Sequence, residues 1–391
     1  MDLIHRRSAA WGLFTIVLLL TCIGIVMVYS ASSVAAQAQY HDGTWFLKRQ
    51  LLYEALGLIA MCAAWRLHYV RLRRLTLPLL LATLVSLVVV LLPHVGRVAG
   101  GARRWLSFGG PLNFQPSELA KLALILYLAH FLANRGERTR EFGAGMIAPL
   151  LVLGLTAAPI VRQPDLGSAL ILVLITFAML FAAGARLSHL GAVAAAAVPA
   201  VLVVILHAGY RSQRLFAFLN PWRDPRGSGF HIIQSLLAIG SGGLVGLGLG
   251  NSRQKFFYLP ERHTDFIFAI IGEELGLIGS VVVIVLFAAL AVWGFRIAAR
   301  CQDRYGALLA SGLTTMLVGQ AVLNIGVVSG SLPITGVPLP FISFGGSSLV
   351  LNNIAVGILL NISQYARPDE ELVRSPVRRP IVRRHSAWAR G

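Results

Sequence analysis

The chain has 391 residues, 56% of them hydrophobic and 13% charged, with a mean hydropathy of +0.73. One soluble core has no use for so much apolar surface, so the composition excludes a soluble globular protein and makes the bilayer the solvent. Lys and Arg outnumber Asp and Glu by 34 to 16, but no interleaving of basic and aromatic residues points to nucleic acid. The positive charge reads as topology and as contact with anionic membrane lipids.

Crossing ~30 Å of hydrocarbon takes about 20 helical residues. Runs of that kind predict ten spans, at 10–31, 49–66, 75–93, 116–133, 144–161, 166–184, 188–208, 265–294, 306–330 and 342–365. The expected fold is an all-α polytopic membrane protein. Residues 1–9 form a cytoplasmic N-terminus, 10–366 one membrane domain with a large extracytoplasmic loop at 209–264, and 367–391 a basic, disordered cytoplasmic tail with seven arginines. The first apolar run follows His5, Arg6 and Arg7 and resembles a signal peptide with Ala36-Gln37-Ala38 as a cleavage site, but its length and the spans after it favour a retained anchor.

The stretch 230–249 is apolar but glycine-rich, a composition that disfavours a helix, so it reads as a re-entrant or interfacial piece of the long loop. The segments on the N-terminal side of the membrane hold 20 of the 34 Lys and Arg, which places both termini in the cytoplasm. Cys22 and Cys62 fall in spans and Cys301 in an inner loop, so neither a disulfide nor a metal cluster is expected.

Polar residues gather at the outer ends of the spans. Asn113-Phe114-Gln115-Pro116-Ser117-Glu118 opens the fourth, with Glu118 and Lys121 three apart on one helix face; they form an intrahelical pair or functional charges. Arg162-Gln163-Pro164-Asp165-Leu166-Gly167-Ser168 turns between spans five and six, where Asp165 can cap a helix, serve function, or both.

The long loop ends at Glu261-Arg262-His263-Thr264-Asp265-Phe266. Thr264 or Asp265 would cap span eight, and three titratable groups in five residues exceed what a cap needs. Glu273 and Glu274, deeper in that span, must find partners in the bundle, and Gly272 and Gly276 suit close packing. Pro338-Leu339-Pro340-Phe341 and Gly345-Gly346-Ser347-Ser348 enter span ten, either as a sharp turn or as a phosphate cradle at a helix N-terminus. Asn324, Asn352 and Asn353 are placed to bond between helices. A polar cavity open to one side of the membrane accommodates all four clusters, with Arg49, Arg103 and Arg104 as candidate anion-binding charges.

Gln115-Pro116-Ser117-Glu118, Gln163-Pro164-Asp165-Leu166-Gly167, His263-Thr264-Asp265-Phe266 with Gly272-Glu273-Glu274-Leu275-Gly276, and Pro338-Leu339-Pro340-Phe341 with Gly345-Gly346-Ser347-Ser348 resemble, in that order, the SEDS family of shape, elongation, division and sporulation proteins. Within it, Phe46-Leu47-Lys48-Arg49-Gln50-Leu51 and Gly248-Leu249-Gly250-Asn251-Ser252-Arg253-Gln254-Lys255 look more like the division-type branch than the elongation-type. Phe344 departs from the pattern, because many members carry tyrosine there.

The resemblance implies a peptidoglycan glycosyltransferase of the cytoplasmic (inner) membrane, acting at the division septum on lipid II and the growing glycan strand beside a class B penicillin-binding protein and other division proteins. It makes Asp265 the essential acidic residue and Glu118, Lys121 and Asp165 its companions. Gln115, His263, Ser347, Ser348, Arg49 and Arg104 are the further substrate-binding candidates. The chemistry asks for a carboxylate near the acceptor hydroxyl and for cations, or a divalent metal such as Mg²⁺ or Mn²⁺, at the departing diphosphate. A helix N-terminus and nearby cations lower a carboxylate's pKa, so positioning the acceptor or holding metal competes with proton abstraction as the role of Asp265. A lipid II flippase, a non-catalytic scaffold and an elongation-type polymerase are the alternative readings, and charges concentrated on one side argue against transport.

Overall fold

The computed structural model describes residues 2–93, 95–99, 102–107, 113–206, 209–254 and 263–366. The tail at 367–391 and the loop residues Glu261 and Arg262 lie outside them. The described chain is helical: α1 (Asp2–Tyr40), α2 (Trp45–Arg66), α3 (Leu72–Val89), α4 (Pro116–Arg135), α5 (Ile147–Arg162), α6 (Leu166–Ala182), α7 (Leu187–Leu206), α8 (Gly209–Leu219), α9 (Phe230–Gly242), α10 (Ile267–Arg300), α11 (Arg304–Val328) and α12 (Gly346–Gln364). Seven spans among the described residues are long and apolar enough to cross a membrane, on α1, α3, α4, α5, α10, α11 and α12. Of the other three spans read from the sequence, α2 carries Lys48, Arg49 and Glu54 in 22 residues and α6 is 17 residues long.

Apolar side chains turned outward on α3, α5 and α10, such as Leu77, Leu155 and Val285, are 57–61% exposed, as a lipid-facing surface requires. α4, α11 and α12 fill the middle, where 72–83% of the span residues are buried. Close packing there depends on small residues. On the α2–α12 seam a Cβ at Gly57 would sit 2.7 Å from Asn353 Nδ2, and one at Gly357 would sit 2.4 Å from the Met61 carbonyl.

The helices alternate in direction, so their junctions form two ends. At one end Asn361 takes the Tyr69 amide at 2.9 Å, while Arg304 donates to the Gly136 and Ala183 carbonyls at 2.9 and 2.8 Å. Cys301 lies at this end, where burial pushes its thiol up to about 11; Cys22 and Cys62 are exposed. Between α3 and α4, at the opposite end, a small antiparallel sheet forms in the order β1 (Gly96–Ala99), β2 (Ala102–Ser107) and β3 (Asn113–Phe114). Sequence periodicity does not show it, because its strands are two to six residues long.

Two expectations change in the 230–278 region. The glycine-rich stretch does contain a helix: α9 ends at Gly242, and most of its glycines follow it as a loop with Gly243, Gly246, Gly248 and Gly250 at positive φ. α10 is not continuous either. It breaks at Gly276, whose φ of +68° and ψ of −162° suit only glycine. At the break the loop takes up four backbone groups of the helix. Leu247 and Gly248 donate to the Glu273 and Glu274 carbonyls, each at 3.0 Å, while Leu277 and Ile278 donate to Gly243 and Leu244 at 2.9 and 3.2 Å.

Backbone meets backbone here, since a Cβ at Gly276 would lie 2.4 Å from the Gly246 nitrogen. Broken helices persist at membrane depth only under such compensation. The loop tip, Leu244 and Val245, is 69% and 75% exposed. Glu273 and Glu274 find the partners they need: Glu273 accepts from Ser252 Oγ and the Arg253 amide, and Glu274 from Ser30 Oγ and the Ser252 amide.

Candidate functional site

The four motif clusters meet at the sheet end of the bundle. Asp265 lies in the turn before α10, not in its cap: the capping position falls to Phe266, and no side chain caps it. The turn is held from two sides. Asn324 on α11 donates to the Asp265 and Val337 carbonyls, both at 2.8 Å. From the Pro-rich segment, Ser343 Oγ donates to the Thr264 carbonyl at 2.6 Å and the Phe344 amide to the His263 carbonyl at 2.9 Å. Gly336 completes the fit, because its φ of +72° is a glycine conformation and a Cβ there would stand 3.3 Å from Asp265 Oδ2.

Asp265 forms part of the wall of a cavity of about 330 Å³ with Gln213 and Arg214 of α8, Ser228, His231 of α9 and Gly336. The His231 ring stacks on Phe266 at 5.7 Å. Asp224 orders the rim, accepting from the Gly227 and Ser228 amides at 3.1 and 2.8 Å; the Ser228 amide foremost holds its carboxyl below the usual carboxylate range. α8 is amphipathic in a directed way. Gln213 and Arg214 line the cavity and Ala217 is buried, whereas Phe216 and Leu219 are 53% and 68% exposed. Gln213, Arg214, Ser228 and His231 were not singled out from the sequence. The signal was there in the helical spacing of arginines and apolar residues in 209–219.

Glu118, Lys121 and Asp165 do not share this cavity wall with Asp265 as expected; they form buried networks behind it, at 3%, 2% and 2% exposure. Lys121 Nζ donates to Glu118 Oε1 and to Gln320 Oε1, each at 2.7 Å, so the intrahelical pair is real and a third group completes it. Gln320 precedes Asn324 by one helical turn, ~6 Å along α11, and this turn links the ion pair to the Asp265 support.

Asp165 caps α6 through the Ser168 amide at 3.1 Å and accepts from Gln115 Nε2, Ser117 Oγ and Ser168 Oγ at 3.1, 3.2 and 2.8 Å. Its four contacts saturate it, and Gln115 is spent on it.

The remaining candidates also have protein partners. Arg104 on β2 clamps the neighbouring turn, donating to the Gln163 and Pro164 carbonyls. Arg49 lies 3.9 Å over the Trp45 ring. His263 packs among Phe46 and Phe344 at 4.3 and 5.8 Å, so the phenylalanine that departs from the family pattern serves an aromatic cluster. Ser347 accepts from the Gln115 amide and Ser348 from Asn352, both serines being 7% exposed. Tyr53 covers Gly346 at the start of α12, where a Cβ would meet its ring at 2.2 Å, so this helix start is a packed turn and not an open cradle. Of the asparagines, Asn353 reaches between helices to Glu54 at 3.4 Å, whereas Asn324 holds loops.

Metal chemistry has a narrow foothold. Among the described residues no three His, Cys, Asp or Glu side chains converge. A hard cation of the Mg²⁺ type needs only one or two carboxylates when substrate phosphates supply the rest, and Asp265 fits that arrangement.

Residues 10–368 match the cell cycle protein family of FtsW, RodA and SpoVE. The chain is 48% identical to the probable peptidoglycan glycosyltransferase FtsW of Geobacter metallireducens, over 88% of this chain and 92% of the relative. It is 46% identical to the stage V sporulation protein E of Bacillus subtilis, over 91% and 97%. Among solved structures, a chain from a study of how a peptidoglycan synthase complex coordinates polymerisation and crosslinking superposes with a TM-score of 0.76 at 34% identity, covering 90% of this chain and 97% of that one. The rod shape determining protein RodA of Thermus thermophilus superposes at 0.67 with 32% identity, over 91% and 97%. With four motifs in family order brought to one end of one helical bundle, the chain belongs to the FtsW, RodA and SpoVE family, the SEDS proteins.

Proposed function

We propose that the chain is a peptidoglycan glycosyltransferase that polymerises lipid II during septal wall synthesis, at the outer face of the cytoplasmic membrane and beside a class B penicillin-binding protein. The observation that carries this reading is Asp265 on a cavity wall, held by backbone contacts from α11 and the Pro-rich segment. The relatives named FtsW support the division role, and the arginine distribution supports an outward-facing cavity with both termini inside.

A sugar hydroxyl of the acceptor attacks the anomeric carbon of the donor as the carbon–oxygen bond to the polyprenyl diphosphate breaks, with inversion. Asp265 receives the hydroxyl proton or its hydrogen bond, and the turn that holds it keeps the carboxylate aimed without the chain having to reorganise. Glu118, Lys121 and Asp165 keep the helices behind the site in register. A divalent cation, where bound, would rest on Asp265 and the diphosphate and neutralise the leaving group.

Lipid II given to purified protein with its penicillin-binding protein tests the reading, with and without chelator. Glycan made by wild type and not by Asp265→Asn supports it. Wild type that only moves lipid II between liposome leaflets would establish the flippase instead. Labelling an engineered cysteine at the exposed Asn251, beside Ser252, from outside checks the orientation.

A further inference from the structure

Leaving-group chemistry demands a cation, and none of those nominated from the sequence is in the described lining of the Asp265 cavity. Arg104 is tied to two carbonyls, Lys121 is buried between Glu118 and Gln320, and Arg49 lies on Trp45. The described lining of the Asp265 cavity holds one arginine and no lysine, and that arginine is Arg214. We propose that Arg214 on α8 binds the diphosphate of the lipid-linked donor in the cavity it lines with Asp265. This assignment rests on the glycosyltransferase reading and names the subsite that reading lacks.

Three features support it. A guanidinium grips phosphate oxygens in bidentate fashion, which a diphosphate on a short tether rewards. The rim around Ser228 and the first turn of α9 at His231 present the positive end of a 13-residue helix to the same space. α8 also sits where such a ligand must arrive. Its exposed apolar residues, Phe216 and Leu219, continue into Trp222 at 65% exposure, the pattern of a helix lying in the membrane interface. Acyl chains against them would hold Arg214 at headgroup depth, level with the phosphates of a membrane-anchored donor.

Binding can be read without turnover. Geranylgeranyl diphosphate, the monophosphate of the same chain and geranylgeraniol are titrated by native mass spectrometry onto the purified full-length protein in detergent, alongside lipid II polymerisation with the penicillin-binding protein. We expect Arg214→Gln to weaken diphosphate binding at least tenfold, to change geranylgeraniol binding less than twofold, and to raise the KM for lipid II more than it lowers kcat. Arg214→Lys, a point charge without the fork, should recover part of the loss, and it carries the test alone if the glutamine variant does not fold.

Unchanged diphosphate affinity in Arg214→Gln, or in Arg214→Lys where the glutamine variant does not fold, overturns the assignment. So does an equal loss for all three probes, which would mark Arg214 as a packing residue. A wild type that binds the diphosphate but makes no glycan would sink the glycosyltransferase reading and leave the diphosphate site standing.

Discussion

Two carboxylate regions share one end of this bundle and are built in opposite ways. Glu118 and Asp165 lie in the protein interior, one paired with an ammonium and the other capping a helix while three side-chain contacts fill its oxygens. Asp265 is supported through its backbone carbonyl, and its side chain borders a cavity. Under the proposed function, the difference separates the charge that holds helices together from the charge that meets a ligand. The first is saturated by neighbours, whereas the second is fixed from behind.

Substitutions can break that comparison. Asp265→Asn leaves its backbone supports intact, so folding should survive while polymerisation falls by roughly 10²–10⁴-fold, the usual worth of a general base; detergent-phase thermal unfolding and lipid II turnover read the two quantities. Lys121→Met should do the reverse in kind, stranding the Glu118 carboxylate at a cost of about 3–5 kcal/mol. The double variant with Glu118→Leu should regain most of that stability, and a double variant no more stable than the single would show that the lost Lys121–Gln320 contact, not the stranded carboxylate, sets the cost.

Gly276→Ala forces a side chain into a φ of +68° and against the Gly246 nitrogen, for a loss of about 1–3 kcal/mol. Faster amide exchange should then be confined to 243–248 and 273–278. Asp165→Asn keeps the shape but weakens charge-assisted bonds, with an expected loss of roughly 1–2 kcal/mol; activity in proportion to folded protein would place it with Glu118, and activity lost at full folding would place it with Asp265.

The smallest effect belongs to Asp42 between α1 and α2, whose carboxyl Lys48 and Thr44 hold at about 2. Its folded pKa is depressed, so its contribution is complete above ~3.8 and fades as pH falls through about 2. Order in the 41–44 turn, followed by spin label, should not change between pH 5 and 8.

Much of this end was legible in sequence because polar residues in an apolar chain are conspicuous, and the motif segments that hold Asp265 carry turn and capping residues that reveal themselves singly. Which carboxylate meets the cavity was not legible, since Gln320, Asn324 and Gly336 act across 55–71 residues of chain from Asp265. Arg214 was hidden among the many basic residues of the long loop, as the amphipathic spacing of 209–219 says what face it presents but not to what. The glycine-rich stretch misled for a local reason: helix propensity counts glycines against a helix, while here most of them follow it, in the loop that bonds to α10.

That exchange of bonds at Gly276 bears on how the chain is made. The 243–248 loop is synthesised before α10, yet the carbonyls of Glu273 and Glu274 and the amides of Leu277 and Ile278 obtain their partners only after it turns back into the membrane. Insertion of α10 and docking of the loop are therefore one event. A truncation, tag or long insertion between α9 and α10 acts first as a biogenesis defect, before any effect on the cavity can be measured.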